Sequence, residues 1–316
     1  MHTHQTLTFA TANLFNFVAP PNAFYDFENI YETQAWAEKC RWTKEKLTLL
    51  DADIVGLQEV FSIEAARQMM ADLGYGYFAV VDTPHIEQEY IYSQPVVAVA
   101  SRYPITRYEA VTPPSALMES YDVPFPHFSR QPISAVVSVP NIGEVAVYVC
   151  HLKSQRATES ASGESEHPLL GRWLSHQQRG WEAVMLRIAM ENAYRSHPVP
   201  TVLMGDMNQS LDSVLTGQLT LNTSSDSATL TLEDSWSLYQ TNDKAKDRAA
   251  THYHFATGNV LDYLLLSQEF QAHSPYSLAD VVGYQVLDQH LINPSFAQDS
   301  QASDHAFVSV TVSFVL

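Results

Sequence analysis

Thr201-Val-Leu-Met-Gly-Asp-Met-Asn208 runs from a short apolar stretch straight into an acid and an amide. The same form recurs along the chain. Val145-Ala-Val-Tyr-Val-Cys-His151 closes on an imidazole, and Asp53-Ile-Val-Gly-Leu-Gln-Glu59 closes on a carboxylate. Asp262 opens Asp262-Tyr-Leu-Leu-Leu, and Asp304-His305 opens Ala306-Phe-Val-Ser-Val-Thr-Val. Short β-branched runs of this kind form buried strands. Their polar ends therefore gather at the rim of a sheet. Carboxylates, an amide and two imidazoles on one rim suit a hard divalent cation and proton transfer.

Around these strands lie helical patterns: residues 29–50, with Trp36, Cys40, Thr43, Leu47 and Leu50 at helical spacing, then Ser62–Leu73 with Ser62 as N-cap, and Trp173–Tyr194. A first strand is expected over Leu7–Leu14, and a hairpin over 133–150. Pro113–His127 reads as an ordered surface loop, and Ser154–Pro168 as a polar excursion directly after His151. Leu211–Leu238 is poorly legible. Many strands with few helices predict an α/β fold of packed sheets flanked by helices. No Gly/Ser or Pro-rich linker divides the 316 residues, so a single domain over 1–316 is expected.

The net charge is −18, from 17 basic and 35 acidic residues. This balance opposes tight non-specific nucleic-acid binding without excluding a nuclease, because divalent cations screen the field. Cys40 and Cys150 read as reduced structural thiols. The N-terminal stretch has neither a basic nor an apolar segment of a leader, and no run is long and apolar enough to span a bilayer. The expectation is a cytoplasmic protein with no stable membrane association and no protein partner.

Each rim residue has a plain alternative. Glu59 can ligate a cation or cap a strand-to-helix turn. Asp206 and Asn208, two apart, face the same way in extended backbone and can hold water or an anion; they can equally close an Asx turn. His151 is either a donor to a phosphate oxygen or a neutral core histidine, with Glu87 or Glu89 as a possible orienting carboxylate. Asp262 is assigned as the partner of the His305 Nδ1–H, leaving Asp304 to face the cation. Arg156, Arg172 and Arg179 could wall the site against a phosphate, or simply be solvated. His252 and His254 have the spacing of a zinc pair, but no third ligand accompanies them in sequence, so a structural or substrate-contacting role is preferred.

Taken in order, Asn13, Gln58-Glu59, Ser101-Arg-Tyr-Pro-Ile105, His151-Leu-Lys-Ser154, Gly205-Asp-Met-Asn208, Leu261-Asp-Tyr263 and Ser303-Asp-His305 resemble the signature blocks of the endonuclease/exonuclease/phosphatase superfamily. The resemblance implies a four-layered α/β sandwich, two mixed sheets inside and helices outside. It implies Mg²⁺- or Mn²⁺-dependent hydrolysis of a phosphoester, nucleic acid or small phosphodiester. Glu59 would bind the metal, with Asn13 and Asp304 close to it. Asp206 would position or deprotonate water, while Asn208, His151 and Asn13 would meet the substrate; apart from the resemblance, Arg172 is expected to meet it from its place at the start of the helix after His151. His305, oriented by Asp262, would act as base or charged phosphate contact. Phe61 stands where pancreatic-type deoxyribonucleases carry an arginine, and Phe15 where abasic-site nucleases carry an acid. Alternatives are a sphingomyelinase-like lipid phosphodiesterase, a phosphomonoesterase, or a binding module that keeps the fold.

Overall fold

The computed structural model describes residues 3–124, 127–159, 167–222, 229–240 and 247–316. Twelve strands build two large sheets. In chain order they are β1 (His4–Phe17), β2 (Ile54–Val60), β3 (Tyr77–Ala79), β4 (Val96–Ser101), β5 (Ile105–Ala110), β6 (Ile133–Val139), β7 (Gly143–His151), β8 (Thr201–Asp206), β9 (Leu232–Asp234), β10 (Asp262–Ser267), β11 (Ala279–Leu287) and β12 (Phe307–Val315). One sheet has the order β11-β12-β1-β2-β4-β3 and the other β9-β10-β8-β7-β6-β5. Both are mixed: β1 pairs in parallel with β2, and β7 with β8, while the neighbouring pairs are antiparallel.

Period-two alternation divides each strand between two environments. Leu7, Phe9, Ile54, Val147, Val149, Val202, Met204, Leu264, Leu266 and Val310 meet in one core between the sheets. Alternate residues turn outward. Ala10, Ala12, Val55 and Leu57 pack with Trp42 and Leu47 of α1 (Thr33–Leu50) and Met69 and Met70 of α2 (Ile63–Asp72). Beyond the short α3 (Ser115–Ser120), α4 (Pro168–Ser196) covers the second sheet, laying Ala183, Leu186 and Met190 on Ala146, Tyr148, Leu203 and Leu265. Helix, sheet, sheet and helix are the four layers expected. The sheets pack tightly at Gly56, where a Cβ would lie 2.8 Å from the Met204 and Val149 side chains.

Several boundaries differ from expectation. The first helix begins at Thr33 rather than 29, and the predicted loop over Pro113–His127 contains α3. The long helix starts at Pro168, five positions before Trp173, because a proline at the first helical position has no amide to satisfy. Ser62 flanks α2 without capping it; its Oγ accepts the Ala19 N–H at 2.8 Å instead. Parts of the expected polar connections, residues 160–166 and 223–228, lie outside the described residues. Cys40 and Cys150 are free. No helix among the described residues is long and apolar enough to cross a membrane.

Candidate active site

The apolar stripes of the inter-sheet core end in polar groups at one rim. On β7, Val145, Val147 and Val149 lead to His151; on β8, Val202 and Met204 lead to Asp206; on β10, Leu266 and Leu264 lead to Asp262. Pairing registers level these ends, since His151 lies opposite Asp206, and Asp206 opposite Asp262. From the other sheet, Leu7, Phe9 and Thr11 lead to Asn13, which pairs with Gln58. His151, Asp206, Asp262, His305 and Asn13 are all buried.

Asp206 is the point of convergence. Its Oδ2 accepts the Asn13 Nδ2–H at 3.1 Å and lies 3.4 Å from His151 Nε2 and 3.7 Å from His305 Nε2. Its Oδ1 accepts the Asn208 backbone N–H at 2.8 Å. Burial, with the Asp262 and Glu59 charges adding to it, outweighs His305 and the Asn208 amide. The Asp206 carboxyl is thereby pushed up to about 7. Burial opposes charge on His305 too, but Asp262 and Asp206 overcome it and hold the imidazolium well above the usual histidine range. His305 Nδ1 sits 2.8 Å from Asp262 Oδ2, the assigned pair. His151 goes the other way: burial, with Arg130 and His305 contributing, keeps its ring neutral. Glu87 and Glu89 are exposed, and Glu87 faces His85 at 3.6 Å, so neither is placed to orient His151.

Local backbone aims the remaining groups. Glu59 takes φ 57° at the end of β2, a left-handed conformation costly for a residue with a Cβ. The turn breaks the strand alternation, and Glu59 Oε2 accepts the Asn16 N–H at 2.8 Å while Oε1 lies 3.5 Å from Asn13 Nδ2. Gly205 has φ 150°, and a Cβ there would sit 1.9 Å from the Cys150 carbonyl oxygen, so this position admits only glycine. Asn208 has φ 53°, which asparagine tolerates; its Nδ2 donates to Leu152 O at 2.9 Å. Asp304 is partly exposed, yet its Oδ1 is buried with no hydrogen-bond partner. Glu59 and Asp304 both act on the Lys39 ammonium, so the two expected metal carboxylates face one region; Asn13 turns its Nδ2 toward Glu59, while its Oδ1 accepts the Phe15 N–H at 3.0 Å.

Three functional groups escaped sequence reasoning. Lys39 lies on the buried face of α1 at 1% exposure, its Nζ over the rings of Phe15 (5.4 Å) and Tyr31 (5.6 Å). Burial pushes it down to about 8 against the opposing pull of Glu59 and Asp304. The signal was its position one turn before Thr43 on the buried face. Arg130, in the segment before β6, donates to Leu152 O at 3.2 Å and exerts its charge on His151. Glu182 of α4 is buried and accepts the Ser129 N–H at 2.6 Å and the Lys153 N–H at 2.7 Å. Arg179, one turn earlier, is fully buried and clamps Lys153 O, Ser154 O and Gln209 at 2.8, 3.1 and 2.9 Å. It holds the loops rather than forming a basic wall. Arg172 is exposed on α4, and Arg156, in the loop after β7, is exposed too and pairs with Glu159 at 3.4 Å. Phe61 is buried edge-on against Tyr25.

The fold has well-matched counterparts. The human Nocturnin catalytic domain with bound sulfate anion is 14% identical, with 99% of this chain and 97% of that chain covered and a TM-score of 0.62. D. rerio TDP2 complexed with single strand DNA product is 15% identical, with 98% and 99% covered and a TM-score of 0.57. A family protein from Bacteroides thetaiotaomicron is 18% identical, with 99% and 100% covered and a TM-score of 0.58. At such identities the likeness is one of fold. No curated protein matches the chain by sequence. The model of the Endonuclease/Exonuclease/phosphatase family, however, matches residues 29–305, and the chain belongs to that family.

Proposed function

We propose that this protein is a Mg²⁺- or Mn²⁺-dependent phosphodiesterase acting on a nucleic acid or a small phosphodiester. Members of the family are metal-dependent phosphoester hydrolases, nucleases and phosphodiesterases among them. The observation that carries the reading is the convergence of Asn13, His151 and His305 on the buried Asp206 carboxylate. TDP2 with its single strand DNA product favours a nucleic-acid substrate.

Glu59 and Asp304, with Asn13 beside them, would hold the cation, whose chemistry is to polarise the phosphoryl oxygen and stabilise the leaving oxyanion. Asp206, pushed up to about 7, is matched to taking a proton from water near neutral pH. His305, kept charged by Asp262 and Asp206, would donate to a phosphate oxygen from Nε2. Neutral His151 would donate from its own Nε2, and Asn208 would turn its amide from Leu152 O toward the substrate. Arg130 and the exposed Arg172 would supply positive charge to the approach.

The test is hydrolysis of bis-p-nitrophenyl phosphate, plasmid DNA, single-stranded RNA and p-nitrophenyl phosphate with Mg²⁺ and Mn²⁺. EDTA, Asp206→Ala and His305→Ala should each abolish it. Turnover that survives EDTA and Asp206→Ala would end the proposal. Cleavage of only the monoester would reassign the protein as a phosphomonoesterase.

A further inference from the structure

His252 and His254 lack a third ligand in the sequence, but the fold supplies two. The short strand His252–His254 docks its first residue on His305 as an isolated antiparallel bridge, and the Ala306 N–H donates to Thr251 O at 2.7 Å. The His252 and His305 rings come to 4.9 Å between centroids, tilted by 44°. One ligand atom from each of His252, Asp304 and His305 lies within 4.8 Å of the other two. His254 points elsewhere: it is exposed and packs on Phe255, with centroids 4.6 Å apart.

These three groups have unused bonding capacity. His252 Nδ1 and Asp304 Oδ1 are buried with no hydrogen-bond partner. His305 spends Nδ1 on Asp262, and its Nε2 stands 3.7 Å from Asp206 and 4.0 Å from Asp304, beyond hydrogen-bond reach. A histidine whose far nitrogen is held by a carboxylate is oriented and made more basic as a metal ligand. Two ligand atoms on one tetrahedral Zn²⁺ are about 3.4 Å apart, so the cluster needs each side chain to move by only about 1 Å.

We propose that His252, Asp304 and His305 form a second cation site, which shares Asp304 with the site proposed at Glu59 but not Glu59 itself, and takes a borderline transition metal of the Zn²⁺ type. Two imidazoles and one carboxylate suit Zn²⁺ and leave its fourth position for water, whereas Mg²⁺ prefers oxygen donors in octahedral array. Both Asp304 and His305 belong to the catalytic set of the proposed function. Resting on that reading, Zn²⁺ here would withdraw them and inhibit hydrolysis.

The experiment is equilibrium dialysis of the metal-free protein against Zn²⁺ in excess Mg²⁺, with Co²⁺ as a spectroscopic stand-in. Wild type, His252→Ala, His252→Phe, His254→Ala and Glu59→Gln are compared, with thermal melts confirming that each is folded. The expected result is one Zn²⁺ per chain that Mg²⁺ does not displace, and tetrahedral Co²⁺ absorption. Both His252 variants should weaken Zn²⁺ by roughly tenfold or more, and His254→Ala and Glu59→Gln should leave it unchanged. Undiminished Zn²⁺ in the folded His252 variants, or its loss in Glu59→Gln, overturns the site. These readouts stand even if no substrate is turned over. Where one is, weaker Zn²⁺ inhibition of His252→Ala than of wild type tests the inhibitory consequence by itself.

Discussion

Asp262 Oδ2 lies 2.8 Å from His305 Nδ1, joining the first residue of β10 to the turn that enters β12 across the two sheets. Asp262→Asn keeps the shape and removes the charge that holds the His305 proton and fixes the ring orientation. Hydrolysis should fall roughly a hundredfold or more at neutral pH, with the fold intact by circular dichroism. A loss below about threefold would mean that His305 needs no such partner.

The same pair sets the alkaline limit of the metal-free protein. His305 holds its proton in the folded state well above its unfolded value of about 6.5, so its contribution is complete below that pH and is lost as pH rises toward the folded value. Between about pH 6.5 and 8, before relief of the buried Lys39 charge sets in, wild-type stability in EDTA should fall by roughly 1–2 kcal/mol per pH unit, with loss of the Asp206 proton adding to that of His305 near pH 7. Asp262→Asn should flatten that slope in urea denaturation, because the chief carboxylate sustaining the shift is gone.

Gly205→Ala should destabilise the protein by about 3 kcal/mol or more, from both the left-handed φ and the contact with Cys150 O. Since Gly205 immediately precedes Asp206, residual folded protein should also be inactive. A near-normal melting temperature would show that β7 and β8 can separate locally.

Glu182→Gln turns one amide N–H₂ against the backbone N–H of Ser129 or Lys153, both of which now donate to the carboxylate. The cost expected in denaturant is roughly 1–3 kcal/mol. Because the segments affected adjoin Arg130 and His151, KM should rise as well. An unchanged KM alongside reduced stability would confine Glu182 to the scaffold.

Lys39→Met removes a buried ammonium that stands against the carboxylates of Glu59 and Asp304. Mg²⁺ should bind more tightly, by roughly three- to tenfold in calorimetry, because the cation no longer enters a site already partly neutralised. Weaker binding would instead make Lys39 a support for the ligands.

The strands and their polar ends were legible in the sequence because period two places the same stripe that fills the inter-sheet core in line with His151, Asp206 and Asp262. The family blocks then ordered them. Lys39 was not legible because a lysine on a helix face reads as solvent-exposed until the rings of Phe15 and Tyr31 enclose it. Arg179 was misread for a related reason: its partners are backbone carbonyls of Lys153 and Ser154, which no side-chain pattern encodes. His252 gained Asp304 and His305 only through a strand bridge across 53 positions of chain.

Arg179 and Glu182, one turn apart on α4, grip the segments around Ser129, Lys153 and Gln209. The helix thus ties three loops to one rigid element. A tilt of its N-terminal half would carry the neighbours of Arg130, His151 and Asn208 together, preserving their mutual spacing while shifting all of them relative to Glu59 on the other sheet. The pose of one helix would then set the width of the proposed site, with no change in any residue expected to meet the phosphate.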